Sequence, residues 1–233
     1  MSGCSASGII DTSVQGVLLR DVTPLSLGVE VNQEVFSVVI LQNTPIPTSK
    51  ARPYYTTYDN QSAIKIKVYQ GERSRSTDNH LLGKFGIYGI PPTPKGVSKV
   101  MVCFEIDANG FLTVSASITS TGKMEKLIIS SENGRLSKEE IEKMVNDAEK
   151  YKLEDLEFKK KVDAYNELED CICNMKKKIK EQNVRKRVHH EILQVMKSVI
   201  EETSNWLKNN QAASFTELQL QKAHLEKVCK PLF

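Results

Sequence analysis

Asp21-Val22-Thr23-Pro24-Leu25-Ser26-Leu27-Gly28-Val29-Glu30-Val31 alternates from its proline onward. Leu25, Leu27, Val29 and Val31 fall on one side of an extended chain, and Ser26, Gly28 and Glu30 on the other. Successive strand side chains point to opposite faces, so the stretch predicts a strand with one apolar face. The pattern recurs downstream. Ile64, Ile66 and Val68 alternate with Lys65 and Lys67, and Leu112, Val114, Ala116 and Ile118 with Thr113, Ser115 and Ser117. Val35 to Leu41 is apolar almost throughout, as suits a strand buried on both faces. Asn109-Gly110 between two such runs predicts a tight hairpin, because both residues tolerate positive φ.

Glycine and proline mark where the strands stop. All 12 glycines lie at or before Gly134, and residues 135 to 230 hold neither glycine nor proline. Both residues are expelled from helix interiors, so the chain reads as a turn-rich β part followed by a helical part. Ser137-Lys138-Glu139-Glu140 is a capping box ahead of Ile141, Met144, Val145 and Ala148. A second stripe runs Phe158, Val162, Tyr165, Leu168, Ile172, Met175 and Ile179, and a third Val188, Ile192, Val195, Val199 and Trp206. Ser214 to Glu217 is another capping box, followed by Leu218, Leu225 and Val228. Four helices are expected. The second, from about Leu153 to Gln182, would be roughly 45 Å long, enough to cross a small domain, though a packed bundle shows the same stripes.

Composition excludes little and favours little. A net charge of +3 on 233 residues does not demand a nucleic acid or a membrane as partner. No apolar run has the length of a membrane span, and MSGCSASG lacks the features of a secretory leader. Cys4, Cys103, Cys171, Cys173 and Cys229 are odd in number with no CxxC pair, which favours a reducing, cytoplasmic or nuclear location. Cys171 and Cys173 could be half a metal site, but the plainer reading is two helix positions facing apart. No metal site is expected. No glycine-rich phosphate loop is present, His190-Glu191 lacks its second histidine at Gln194, and no nucleophile with a base can be singled out. No catalytic residue is assigned. Lys176 to Arg187 concentrates positive charge without interleaved aromatics, so a solvated helix face is preferred over nucleic-acid binding.

Several motifs occur together in a fixed order. Asp21 to Gly28, Asn43-Thr44, Ile46-Pro47-Thr48, Asp59-Asn60-Gln61, Gly71-Glu72-Arg73 and Leu82-Gly83-Lys84-Phe85 come first. Gly89-Ile90-Pro91-Pro92, Ile106 to Gly110 and Gly134 to Ile141 follow. The chain resembles the C-terminal peptide-binding region of the DnaK-type, seventy-kilodalton heat-shock chaperones, over about residues 14 to 230, and its wording around Gly134 is that of the cytosolic eukaryotic branch.

The resemblance implies an α+β chain: an antiparallel β-sandwich that binds peptide, followed by an all-α helical lid bundle. The divisions would be residues 1–21 as tail and interdomain-linker remnant, 22–134 as sandwich and 135–233 as lid. By position, Val29, Val31, Tyr54, Ile64, Ile66 and Val100 would line a pocket for one apolar side chain of an extended peptide; each also reads as plain core. Asn32 and Thr57 would form the arch over the peptide. Asp59, Lys95 and Asp155 would latch the lid, with Cys173 where the family has a latch histidine. Leu18, Leu19, Arg20 and Asp21 would be the linker, Arg20 interrupting its apolar run. Gln33-Glu34 replaces the family's Gly-Gly.

Implied partners are unfolded or extended peptide segments, with full-length chaperones and J-domain co-chaperones behind them. An acidic tail that docks tetratricopeptide co-chaperones is not seen before Phe233. Neither membrane nor nucleic acid is an expected partner. The family's ATPase domain is not recognised in the chain, so the expectation is a non-enzyme without a cofactor of its own, ATP serving full-length members. That chain would hold unfolded segments without a nucleotide-driven cycle; alternatively it is a degenerate scaffold or regulator that binds a protein or nucleic acid through its helices.

Overall fold

The computed structural model describes residues 21–129, 136–181 and 189–230. Among them, eight strands precede four helices. One sheet has the order β2-β1-β4-β5, from β1 (Leu27–Val31), β2 (Val35–Ile40), β4 (Ala63–Gln70) and β5 (His80–Tyr88). The other has the order β3-β6-β7-β8, from β3 (Thr48–Tyr55), β6 (Lys99–Ile106), β7 (Leu112–Ile118) and β8 (Met124–Ile129). The second sheet is antiparallel throughout.

Alternation places the strands. Leu112, Val114, Ala116 and Ile118 are buried in β7, with the residues between them half-buried. β2 is less enclosed than its composition predicts: Phe36, Val39 and Ile40 are buried, but Leu41 beyond its end is 68% exposed. The β6–β7 turn also departs from expectation. Of Asn109-Gly110 only Gly110 has positive φ, at 78°. The Asp107 carboxylate accepts the N–H groups of Asn109 and Phe111, each at 2.9 Å, and makes a wider, side-chain-braced turn. Gly28 has a different task. A methyl group there would run into the Ser37 carbonyl, so glycine lets the chain carrying β2 lie close against β1.

The helices are α1 (Lys138–Lys150), α2 (Lys152–Lys178), α3 (His190–Asn209) and α4 (Phe215–Cys229). Both capping boxes form: Ser137 and Glu140 close α1, and Ser214 and Glu217 close α4. The 27 residues of α2 make it about 40 Å long. Leu168, Ile172, Met175 and Ile179 pack with Leu193, Met196, Ile200, Leu207, Leu218 and Leu225 in one core. Of the stripe expected on α3, Val199 and Trp206 pack against this core, but its first turns are out of register. Ile192 and Val195 are 46% and 58% exposed, and Leu193, Met196 and Ile200 face inward instead. Two interleaved stripes of similar hydropathy compete there, and packing against α2 and α4 selects one. Val188 lies outside the described residues.

Two compact units divide the chain, and they do not follow chain order. Of the described residues, one takes in 21–26, 39–64 and 85–129; the other takes in 27–38, 65–84, 136–181 and 189–230. This corrects the expected fold class, an antiparallel β-sandwich peptide-binding domain followed by an all-α helical lid bundle, and the comparisons below overturn it as well. β1, most of β4 and all four helices share one unit, because the loop after β4 is bonded to α2. Glycine and proline content reports local structure; it does not say which elements pack together.

Candidate functional site

Within the second unit, β1 carries Val29, buried, and Val31, half-buried. β4 pairs with it antiparallel, Val29 opposite Val68, and carries buried Ile66. The β1–β2 turn is built from Asn32, Gln33 and Glu34. Gln33 and Glu34 stand at φ of 62° and 59°, a left-handed conformation in which β-carbons are disfavoured. Asn32, the expected arch residue, is exposed.

Glu30 points away from Val29 and Val31, as alternation requires. Its Oε1 accepts from Lys67 Nζ at 2.6 Å, and its Oε2 accepts from Ser76 Oγ at 2.7 Å and from Tyr69 Oη at 3.1 Å. Burial opposes ionisation of Glu30 and is the largest single influence. The donors Lys67, Ser76 and Tyr69 together outweigh it, so the carboxyl sits below its ordinary range.

The loop 71–79 then joins this sheet to α2. Asn79 braces it from inside, accepting the Arg73 N–H at 3.0 Å and donating to the carbonyls of Arg73 and Arg75 at 2.8 and 2.9 Å. The Phe36 N–H donates to the Ser74 carbonyl at 2.9 Å. From this frame Arg73 Nε donates to both Asp155 oxygens, at 3.2 and 3.1 Å, and the Ser74 N–H adds a third bond at 3.2 Å. Arg73 also lies 4.6 Å from the Tyr151 ring centroid, and Arg75 lies 4.8 Å from that of Phe158. Burial works against the Arg73 charge most strongly, yet Asp155, then Asp78 and Glu154, hold its pKa above the ordinary arginine value.

In the first unit Tyr54 of β3 pairs directly with Val100 of β6. Val100 is fully buried, and Tyr54 and Ile64 are half-buried. Thr57 donates its backbone N–H to Gln61 Oε1 at 2.7 Å. Asp59 and Lys95 meet through the backbone: the Lys95 N–H donates to Asp59 Oδ1 at 2.8 Å. A groove of about 490 Å³ in this unit is lined by Pro47, Thr48, Ser49, Glu105, Asp107 and Phe111 among others, and by none of the expected pocket residues.

The expected site is therefore spread over both units: Val29, Val31, Ile66, Asn32 and Asp155 in one, and Tyr54, Ile64, Val100, Thr57, Asp59 and Lys95 in the other. Cys173 is exposed on α2. Of the expected linker, Leu18, Leu19 and Arg20 lie outside the described residues; the Asp21 carbonyl accepts from the Ile46 N–H at 2.9 Å. The sequence reading missed Arg73 as the base that grips Asp155. Its signal was Gly71-Glu72-Arg73, a motif noted without a role. Among the described residues no helix is long and apolar enough to cross a membrane.

Comparison with known proteins gives the chain its kin. The sequence model of the family described as Hsp70 protein matches residues 2–233, in one span across both units. The chain is 42% identical over 220 residues to "Heat shock 70 kDa protein 2" of Paracoccidioides lutzii, covering 94% of this chain and 34% of that protein. It is 43% identical over the same length to the "Heat shock 70 kDa protein" of Trichophyton rubrum, with the same coverage, and 43% identical to that of Penicillium citrinum, covering 43% of it. It thus spans about a third of the length of the first two relatives. The match overturns the non-enzyme expectation. That expectation rested on what could be recognised within 233 residues, whereas the family's sequence model is matched over nearly all of them. With its family matched from residue 2 to residue 233, the chain belongs to the Hsp70 family of heat-shock chaperones.

Proposed function

We propose that residues 21–230 supply the peptide grip of an Hsp70 chaperone, holding extended apolar segments of unfolded polypeptide. One observation carries the reading. Taken unit by unit, Val29 and Ile66 are buried in one while Val31 keeps part of its surface in water, and Val100 is buried in the other while Tyr54 and Ile64 keep part of theirs. Within each unit, apolar surface is thus left that an apolar side chain of a ligand can cover. A strand-like ligand suits such a site, since an extended chain brings its own backbone donors and acceptors and needs a pocket for alternate side chains only.

In this reading the ligand is any unfolded segment with an accessible aliphatic side chain. J-domain co-chaperones and full-length chaperones are the further partners, in the cytoplasm or the nucleus, and ATP is the cofactor of the full-length cycle. Fluorescence anisotropy with a labelled extended peptide, one leucine centred among small polar residues, tests the reading. Saturable binding in the micromolar range is expected, and Ile64→Phe should weaken it at least tenfold, with the thermal melt checked alongside. No saturation at millimolar protein, or a variant that binds as well as the parent, sinks it.

A further inference from the structure

Glu30 stands on the side of β1 away from Val29 and Val31, and it is the carboxylate shared by three donors from two places. Lys67 and Tyr69 come from the neighbouring strand β4, where a charged side chain on a sheet needs only a solvated partner. Ser76 is different. It is fully buried, it belongs to the loop 71–79, and its hydroxyl reaches Glu30 at 2.7 Å. Three residues before it in that loop stands Arg73, and two before it Ser74, the groups that reach Asp155 on α2.

Other contacts hold the loop as well. Asn79 organises it from within, Val35 bridges to Arg75, and the Phe36 N–H meets the Ser74 carbonyl. Val35 and Phe36 follow directly on the turn 32–34, and Glu30 directly precedes Val31. The strand ends that frame the turn thus hold the loop from both sides, and Glu30 supplies the charged contact. Every group in this chain of contacts belongs to one compact unit.

We infer that Glu30 is a positioning residue for the hold on α2: by fixing Ser76 it sets the loop 71–79 so that Arg73 and Ser74 together reach Asp155. Asp155 needs two directions of approach at once, a side-chain N–H and a backbone N–H from adjacent residues. A loop released at Ser76 can rotate about its Asn79 brace, and the backbone bond from Ser74 is then the first lost, because it has no side-chain torsions with which to follow. The consequence for peptide release rests on the function proposed above; the positioning itself does not.

Native-state hydrogen exchange on the whole chain, without peptide, is the primary test. Glu30→Gln and Ser76→Ala should each speed exchange about tenfold at Ser74 and over Lys152–Phe158, the loss expected for one hydrogen bond to a charged group. α3 and α4 should be unchanged. Lys67→Met, which leaves the Ser76 bond in place, should change exchange there less than threefold. In an Asp155→Asn background, Glu30→Gln should add almost nothing, because the two substitutions break the same connection. Multiplying effects, an unchanged Ser74 amide in Glu30→Gln, or equal effects of Lys67→Met and Ser76→Ala overturn the inference. A Glu30 variant that fails to fold leaves Ser76→Ala, which removes the loop contact alone, to decide it. If the parent binds the labelled peptide, its dissociation should quicken in Ser76→Ala; quickened exchange with an unaltered off-rate overturns the link to peptide. If the parent binds no peptide, the proposed function fails and the exchange pattern still judges Glu30.

Discussion

Arg73 Nε lies 3.2 and 3.1 Å from the two carboxylate oxygens of Asp155, and both side chains are nearly nine-tenths removed from water. The guanidinium is flanked by the Tyr151 ring, with Asp78 at 3.4 Å and Glu154 at 4.0 Å completing its surroundings. Asp155 sits near the start of α2, where a negative charge also meets the unpaired N–H end of the helix favourably. One arginine therefore joins the loop after β4 to the first turn of the long helix. Lysine could not replace it: a point charge lacks both the planar donor set and the flat face that stacks on Tyr151.

Removing one member of a buried pair strands the other. Asp155→Ala should lower the stability of this unit by about 3–5 kcal/mol, the range for breaking such a pair from one side. Arg73→Lys should fall between the parent and the alanine variant. Urea unfolding followed by circular dichroism measures both. A loss within the roughly 0–1 kcal/mol of an exposed pair would mean that water reaches the contact.

Much of this was legible beforehand, for reasons that differ from place to place. The strand around Leu112 to Ile118 and the caps at Ser137 and Ser214 rest on short-range rules, and local rules can be read locally. On α3 the sequence offered two neighbouring stripes, and only contact with α2 and α4 distinguishes Leu193 and Met196 from Ile192 and Val195. Arg73 and Asp155 stand 82 positions apart, so no periodicity could join them. The grouping of β1 with the helices was hidden for the same reason, and a division drawn at Gly134 could not anticipate it.

Gln33 is held at φ 62° in the turn between β1 and β2. A β-carbon in that conformation costs about 1–2 kcal/mol, and glycine gives back about 0.5–1 kcal/mol through its greater freedom when unfolded. Gln33→Gly should therefore stabilise the chain slightly, by about 0.5–1 kcal/mol. Scanning calorimetry decides it. A lower melting temperature would show that the Gln33 side chain holds the turn in some other way.

Gly28 makes the opposite case. It has an ordinary φ but no room, since a methyl group would meet the Ser37 carbonyl and the Phe36 ring. Gly28→Ala should cost about 1–3 kcal/mol, as overpacking does. Denaturant midpoints give the comparison. A neutral substitution would mean that β2 can draw away from β1 freely.

Acid should reach the sheet through Glu30. Its carboxyl titrates below the ordinary value of 4.5 in the folded chain, so the folded state holds its proton less tightly than the unfolded one. The stabilisation is then fully present above the unfolded value and is lost as pH falls through the folded one. Glu30→Gln should accordingly lie furthest below the parent at neutral pH, and the gap should close under more acidic conditions. Melting temperatures of both proteins across that range trace the curve; a gap that widens on acidification reverses the sign and would place a protonated Glu30 in the native sheet.

The cysteines report on α4 independently of any ligand. Cys229 is fully buried at its end, and burial, with the Cys171 thiol adding to it, pushes its pKa up to about 11. Only the thiolate attacks an alkylating agent, so roughly one Cys229 in a thousand would be reactive at pH 8 even with free access. Cys171 is partly buried and also raised, by burial first and Glu226 second, whereas Cys173 is exposed two residues along α2. Iodoacetamide labelling of the native chain, read site by site by mass spectrometry, should therefore take Cys173 first, Cys171 more slowly and Cys229 last. Denaturant should bring the three rates together, since their differences belong to the fold. Native Cys229 labelled as fast as Cys173 would mean that α4 leaves its place beside α2 on the timescale of the reaction, and the core around Leu218 and Leu225 would have to be looser than its burial implies.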